Sequence, residues 1–149
     1  MPSDQIHLTL SFLGEVDEAD LERLTGQLAR IQMTEFRIRF GGTGCFPDRR
    51  RPRVLWVGLE PEPRLNALAA RIRDAVLACG IPQEERPFSP HITLARIKLP
   101  SPGSCDAFLH RDTRPGLPPL HVREFILFQS RLTQQGALHI PVRSFPLAI

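Results

Sequence analysis

Two short segments of the chain share one pattern, in which histidine and threonine alternate with apolar residues. The segments are His7-Leu8-Thr9-Leu10 and His91-Ile92-Thr93-Leu94. Alternate residues of a β-strand lie on the same face, so each segment would present an imidazole and a hydroxyl together, with two apolar side chains on the other face. With this composition, about 0.1 such match is expected by chance. If the two strands lie side by side, two imidazoles and two hydroxyls converge on one site.

Paired histidines suit a reaction in which one proton is removed and another is supplied. Histidine has an ordinary pKa of about 6.5, so it can serve as an acid or as a base near neutral pH. The threonine hydroxyls would donate hydrogen bonds to the oxygens of a bound oxyanion, for which phosphate is the obvious candidate. These residue types therefore favour general acid–base transfer at a phosphodiester.

Two other kinds of site are less well supported by the sequence. A metal site is disfavoured because His and Thr are a poor ligand set and no His-x-x-x-His or Cys-x-x-Cys spacing occurs. A nucleophilic serine or cysteine is disfavoured because there is no Gly-x-Ser-x-Gly motif and no cysteine stands next to a histidine. We therefore expect neither a metal nor a cofactor.

Longer stretches around the motifs resemble the two-histidine phosphoesterases, most closely the RNA 2′,3′-cyclic phosphodiesterases, also called 2′-5′ RNA ligases. The matching residues are His-Leu-Thr-Leu-Ser-Phe-Leu-Gly at 7–14, Arg-Pro-Arg-Val-Leu-Trp-Val-Gly-Leu at 51–59, Pro-His-Ile-Thr-Leu-Ala-Arg at 90–96 and Phe-Pro at 145–146. The resemblance covers essentially the whole chain. It implies an enzyme, an RNA 2′,3′-cyclic phosphodiesterase.

The resemblance also implies a role for each of five residues. His7 would be the proton donor to the leaving oxygen, and His91 the proton acceptor that activates the attacking water. The residues themselves do not decide which histidine plays which role. Thr9 and Thr93 would hold the phosphoryl oxygens, and Arg96 matches a family arginine that helps to bind the phosphate, for which a guanidinium fork is well suited.

The reaction that the resemblance implies is hydrolysis of an RNA 2′,3′-cyclic phosphodiester end to a 2′-phosphomonoester. The reverse direction would join such an end to a 5′-hydroxyl as a 2′-5′ bond, and the same residues would serve both directions. One alternative is a cyclic phosphodiesterase for a small nucleotide. Another alternative, from a different class, is a non-catalytic module that binds RNA ends.

The net charge of +3 depends almost wholly on arginine, and four arginines are concentrated in one short segment, Arg49, Arg50, Arg51 and Arg53. This segment is either a solvated loop before a strand or a contact with the phosphate backbone of RNA. Aromatic residues near it and near the first motif could contact a single-stranded end. The candidate RNA contacts are Phe12, Phe46, Arg50, Arg53 and Trp56.

Apolar periodicity predicts alternating strands and helices around the two motifs. We predict strands over 6–13, 36–40, 54–59, 91–97 and 121–132, helices from Asp17 to about Ile31 and over 63–79, a Pro- and Gly-rich loop over 100–119, and a last strand after Gln134-Gln135-Gly136. The fold class is therefore α+β. The strand order repeats approximately, which with the resemblance indicates two pseudo-symmetric lobes of antiparallel sheet with outer helices around a central cleft.

The chain of 149 residues is long enough to form one domain over 1–149. No segment approaches 18 apolar residues, so we expect no membrane span. Three scattered cysteines indicate reduced thiols in a cytoplasmic protein. Family members have a strand and a helix before the first motif, which this chain would lack unless its true start lies upstream of Met1. We therefore expect an N-terminally short domain that is a monomer, or a dimer that covers the exposed edge.

Overall fold

The computed structural model describes residues 3–98 and 117–149. These residues form two compact units. The first unit contains 3–9, Ile38–Glu62, 89–98 and 117–120, and the second contains Leu10–Arg37, Pro63–Phe88 and His121–Ile149. The predicted loop over 100–119 lies outside the described residues except for 117–119.

Helices and strands alternate along the chain in an α+β arrangement, as the sequence predicts. In order they are a 3-10 helix Ser3–Gln5, α1 Glu18–Leu28, β1 Phe36–Ile38, β2 Phe40–Phe46, β3 Val54–Leu59, α2 Pro63–Ala78, β4 His91–Arg96, β5 Leu120–Val122, β6 Glu124–Thr133 and β7 Gly136–Pro146. Strands β2, β3 and β4 form an antiparallel sheet in that order. Strands β6 and β7 form an antiparallel hairpin, and β1 pairs with β5.

The three-stranded sheet of the first unit has one apolar face. Val57 of β3 lies opposite Ile92 of β4 and opposite Thr43 of β2. Val57 and Ile92 are buried, so this face belongs to the core of the unit. Because successive residues point to opposite faces, the neighbours of Val57 and Ile92 lie on the other face.

The second unit has a helical core that follows the predicted periodicity. Leu24 and Leu28 of α1 are buried, and α1 packs on α2. Helix α2 buries the stripe of residues Leu65, Leu68, Ile72 and Val76. Burial of each such side chain contributes about 1.5–3 kcal/mol. Gly80, at φ +78°, ends the helix, and the N–H of Ile81 donates to the carbonyl of Val76.

The structure corrects the predicted strand over 6–13. Within that range, only Leu8 pairs with another strand, in a single antiparallel bridge to Ile92. Farther along, the backbone carbonyl of Phe12 accepts a hydrogen bond from Gln83 Nε2 (3.0 Å), and Ser11 Oγ donates to Gln83 Oε1 (2.6 Å). The side chain of Gln83 therefore provides the hydrogen-bond partner for a backbone carbonyl that would otherwise bond to a neighbouring strand.

Three other predicted boundaries are wrong by a few residues. The strand predicted over 36–40 is two strands, since β1 ends at Ile38 and β2 runs from Phe40 to Phe46. Helix α1 ends at Leu28, so Ile31 lies beyond it. The strand predicted over 121–132 is two strands, β5 and β6, separated at Arg123. The carbonyl of Arg123 accepts a hydrogen bond from the N–H of Leu147 (2.7 Å), which gives this backbone group a partner outside the hairpin register.

Candidate active site

The bridge between Leu8 and Ile92 brings the two histidine motifs together within the first unit. An antiparallel bridge at these residues sets the flanking residues against one another in the opposite order. His7 therefore lies beside Thr93, and Thr9 lies beside His91. All four polar side chains fall on the face opposite Leu8 and Ile92. His7, His91 and Thr93 are half-buried and Thr9 is exposed, so the group borders solvent.

The two imidazoles make the same local hydrogen bond. His7 Nδ1 lies 2.7 Å from the carbonyl of Gln5, and His91 Nδ1 lies 2.9 Å from the carbonyl of Ser89. A carbonyl oxygen can only accept a hydrogen bond, so Nδ1 carries the proton in both rings. In a neutral ring, Nε2 then holds the lone pair that can accept a proton. Each ring is thus prepared to act through Nε2, as a base when neutral and as an acid when charged.

Strand β3 adds an aromatic residue to the same face. Trp56 lies opposite Thr93 and Gly58 lies opposite His91. The Phe46 ring lies 5.2 Å from the His91 ring, edge to face, and 5.3 Å from the Trp56 ring. The Trp56 and His91 rings are 6.2 Å apart. His91 therefore lies at the edge of an aromatic group, of which Phe46 is 42% exposed.

A β-bulge places Arg96 on the same face as the motifs. Trp56 lies opposite Thr93, but Leu55 lies opposite Ala95, so β4 has one extra residue, Leu94, at this point. Without the bulge, residues 91, 93 and 95 would share a face and Arg96 would point to the other one. With the bulge, Arg96 lies opposite Val54, in register with the face that carries Trp56. Arg96 is exposed, and its guanidinium can therefore reach a ligand at this face.

The arginine-rich segment is the ordered loop between β2 and β3. Asp48 Oδ1 accepts hydrogen bonds from the backbone N–H groups of Arg50 (2.8 Å) and Arg51 (2.9 Å), which fixes a tight turn. The N–H of Arg53 donates to the carbonyl of Phe46 (2.7 Å) and closes the loop. Arg50 and Arg53 are both exposed. The loop therefore presents its cations to solvent at the end of the sheet where Phe46 and Arg96 lie.

Phe12 is the candidate residue that lies in the other unit. Its side chain is 77% exposed, and its backbone carbonyl bonds to Gln83 of the same unit. The contacts described above connect the remaining candidates through the first unit. The structure therefore groups, within the first unit, His7, Thr9, His91, Thr93, Arg96, Phe46, Trp56, Arg50 and Arg53, whereas Phe12 belongs to the second unit.

No group of His, Cys, Asp and Glu side chains suited to hold a metal ion occurs within 3–98 and 117–149. The residues that do converge are imidazoles, hydroxyls and guanidinium groups, which favour an anion over a cation. Among these same described residues, no helix has the length and apolar character needed to cross a membrane.

Comparison with known proteins identifies the family. The profile described as the 2′-5′ RNA ligase superfamily matches residues 2–125. The chain belongs to this superfamily. The family predicted from the two histidine motifs is therefore confirmed.

Relatives within the superfamily cover most of the chain. The RNA 2′,3′-cyclic phosphodiesterase of Archaeoglobus fulgidus is 33% identical over 142 residues, which are 95% of this chain and 80% of the relative. The Bacillus subtilis protein of the same name is 38% identical over 130 residues, 86% of this chain and 69% of that protein. Among solved structures, apo Escherichia coli LigT has a TM-score of 0.82 at 28% identity and covers all of this chain, which matches 80% of LigT.

Three features of this candidate site are absent from the sequence-based candidates. They are the bulge at Leu94 and two glycines, Gly44 opposite Trp56 and Gly58 opposite His91. Gly44 lies in the sequence Gly-Cys-Phe at 44–46, and Gly58 lies in the Trp-x-Gly spacing at 56–58. Their significance depends on strand register, which the sequence alone does not supply.

Proposed function

We propose that this protein hydrolyses RNA 2′,3′-cyclic phosphodiester ends to 2′-phosphomonoesters by metal-independent general acid–base catalysis with His7 and His91. The observation that carries the proposal is the Leu8–Ile92 bridge, whose register places both imidazoles and both threonines on one face. Relatives at 31–38% identity over most of the chain bear the name RNA 2′,3′-cyclic phosphodiesterase, which supports this substrate.

The proposed reaction assigns one proton transfer to each imidazole. His91, neutral and with its Nδ1 proton held by Ser89, accepts a proton at Nε2 from the attacking water. The new bond forms between the water oxygen and phosphorus, and the bond between phosphorus and the 3′-oxygen breaks. His7, initially charged, gives its Nε2 proton to that leaving oxygen. The phosphate remains on the 2′-oxygen, and a 5′-hydroxyl that attacks in place of the water would form a 2′-5′ bond.

Thr9, Thr93 and Arg96 stabilise the phosphoryl oxygens during this displacement. Two hydroxyl donors and one guanidinium fork on the same face suit the three oxygens that neither attack nor leave, which are the two non-bridging oxygens and the 2′-oxygen. Each preorganised donor of this kind is typically worth about 10²–10³-fold in rate. His, Thr and Arg supply the required charge stabilisation without a metal ion, which is the reason for proposing a metal-independent reaction.

RNA beyond the cyclic end is proposed to contact the arginine loop and the aromatic residues. Arg50 and Arg53 would neutralise backbone phosphates, because their side chains are exposed on an ordered loop. Phe46, which is 42% exposed, would stack against a base, and Trp56 would extend that apolar surface. Phe12 is kept as a further candidate contact because its ring is 77% exposed.

A small nucleotide is the second candidate substrate. LigT has been crystallised with 3′-AMP and with NADP⁺, and it resembles this chain with TM-scores of 0.81 and 0.78 in those two structures. The exposed arginine loop favours RNA, because a mononucleotide would leave these cations without phosphates to neutralise.

Hydrolysis of a short RNA that ends in a 2′,3′-cyclic phosphate tests the proposal directly. With EDTA present, we expect release of a 2′-phosphomonoester, identified by its resistance to a 3′-specific phosphatase. Activity that EDTA abolishes would contradict metal independence, and a 3′-phosphate product would contradict the assignment of the leaving oxygen. A cyclic mononucleotide that turns over faster than the RNA would favour the second candidate.

A further inference from the structure

Gly44 of β2 provides the surface on which the Trp56 ring lies. The two residues are opposite one another in the β2–β3 ladder. A Cβ atom added to Gly44 would overlap Cζ2 of the indole and would lie 2.5 Å from Cη2 and 2.7 Å from Cε2. Contacts this short are impossible for real atoms, so the ring occupies the space that any side chain at position 44 would fill.

The other edge of the same indole reaches Gly58. A Cβ atom on Gly58 would lie 3.4 Å from Trp56 Cζ3 and 3.3 Å from the carbonyl of Gly42. Gly58 lies opposite His91 in the β3–β4 ladder. The indole therefore extends across the sheet between two positions without side chains, and it ends next to the strand position of His91.

Packing alone holds the indole in this place. Trp56 Nε1 is buried and has no hydrogen-bond partner among the described residues. A buried N–H without a partner opposes this arrangement, so the ring is retained for its shape and its contacts. Those contacts include the Phe46 ring at 5.3 Å, and Phe46 in turn lies edge to face with the imidazole of His91 at 5.2 Å.

His91 is held at two places on its ring. The Nδ1–H donates to the Ser89 carbonyl, and the Phe46 ring packs against the imidazole at a right angle. The hydrogen bond alone permits the ring to tilt about the Nδ1···O direction. The aromatic contact limits that tilt, and the direction of Nε2 is set as a result.

We propose that Gly44 and Trp56 are positioning residues, which set the direction of His91 Nε2 through Phe46. Gly44 lacks a side chain so that the indole can lie flat on the sheet, and the indole supports Phe46 against the imidazole. This inference rests on the proposed function, since it assigns to these residues the alignment of the proposed general base. A methyl group at position 44 lifts the indole and displaces Phe46 and the imidazole with it.

The substitution Gly44→Ala tests the proposal, with Gly26→Ala as the matched control. Gly26 lies in α1, where an added Cβ would meet nothing within 4 Å. We expect Gly44→Ala to lower kcat about 10²-fold with little change in KM, because a displacement of about 1 Å at a reacting group has an effect of this size. Gly26→Ala should leave both constants unchanged. Equal kcat values in Gly44→Ala and the wild type would overturn the proposal.

A double substitution separates positioning from a general loss of structure. In a Trp56→Val background the indole is gone, so adding Gly44→Ala should lower kcat no further. If the two substitutions instead lower kcat by the product of their separate effects, the methyl group acts independently of the indole and the proposal is wrong.

A spectroscopic measurement keeps this test distinct from that of the function. The ¹⁵N signals of the His91 imidazole report whether Nδ1 carries the proton, and ring nuclear Overhauser contacts report the approach of Phe46. We expect Gly44→Ala to reduce the Phe46–His91 contacts while the signals of His7 stay unchanged. Unchanged His91 contacts would overturn the positioning role. Absence of RNA turnover in the wild type would overturn the proposed function and leave this result standing.

Discussion

Leu8 and Ile92 form an antiparallel bridge, and its register sets each histidine of the two motifs beside the threonine of the other. Because the segments run in opposite directions, His7 and His91 approach a shared ligand from opposite ends. Displacement at phosphorus requires the attacking and leaving oxygens to be roughly in line, on opposite sides of the phosphorus atom. A pair of imidazoles related in this way can serve one oxygen each.

The apolar side chain beneath the motifs should contribute strongly to stability. Ile92 is 7% exposed and packs beside Val57, so Ile92→Ala should lower the free energy of unfolding by about 2–5 kcal/mol. Leu132→Ala is the matched control, since Leu132 is 92% exposed and its loss should change the value by about 0.5 kcal/mol or less. Urea unfolding measures both, and similar losses in the two variants would contradict the assignment of Ile92 to the core.

Removal of one threonine hydroxyl should slow the reaction without unfolding the protein. Thr93→Val keeps the shape of the side chain and removes its donor, and we expect kcat to fall about 10²–10³-fold. Thr9→Val should also lower kcat, because Thr9 lies beside His91. The control Thr34→Val, in the second unit, should retain full activity. Steady-state kinetics on the cyclic-phosphate RNA decides, and normal kcat in Thr93→Val would exclude a role in charge stabilisation.

The arginine loop should affect binding rather than chemistry. Arg50→Ala and Arg53→Ala should raise KM for RNA with kcat unchanged, and each lost phosphate contact should reduce the slope of log KM against log salt by about 0.7. Arg131→Ala, an exposed arginine on β6, should leave that slope as in the wild type. An unchanged slope in both loop variants would show that RNA does not contact this loop.

The dependence of activity on pH should reveal two ionising groups. Because His91 must start neutral and His7 must start charged, kcat/KM should rise and then fall as pH increases. A variant that lacks either histidine should keep a low residual activity. The pH curve of that residual activity should lack the limb that the replaced histidine produces. The pH profile of the wild type measured in EDTA checks this, and a curve with a single limb would contradict the two-histidine assignment.

Local sequence patterns predict much of the fold, because they report local preferences. The strand over Val54–Leu59 and the helix that starts at Pro63 follow from an apolar run and from helical spacing closed by a glycine, and both are confirmed. The predicted strand over 6–13 is wrong, since Leu8 alone pairs there and the carbonyl of Phe12 bonds instead to Gln83, a residue that is distant in sequence. No local pattern contains that contact.

The same limit applies to the site. The motif residues could be identified from the sequence because their pattern occurs twice. That Arg96 shares their face depends on the extra residue Leu94 in β4, which becomes evident only when β3 supplies the register. The relation between Gly44 and Trp56 is likewise a cross-strand contact, and a glycine in a strand gives no sign of which ring lies upon it.

The most direct test of the account is turnover of a cyclic-phosphate RNA by His7→Ala and His91→Ala, measured beside His139→Ala, which alters a histidine of β7. We expect each motif substitution to lower kcat about 10²–10⁴-fold, while RNA binding by fluorescence anisotropy changes little and the β7 variant stays active. Near-normal turnover in either motif variant, with the fold intact by circular dichroism, would contradict catalysis by two histidines.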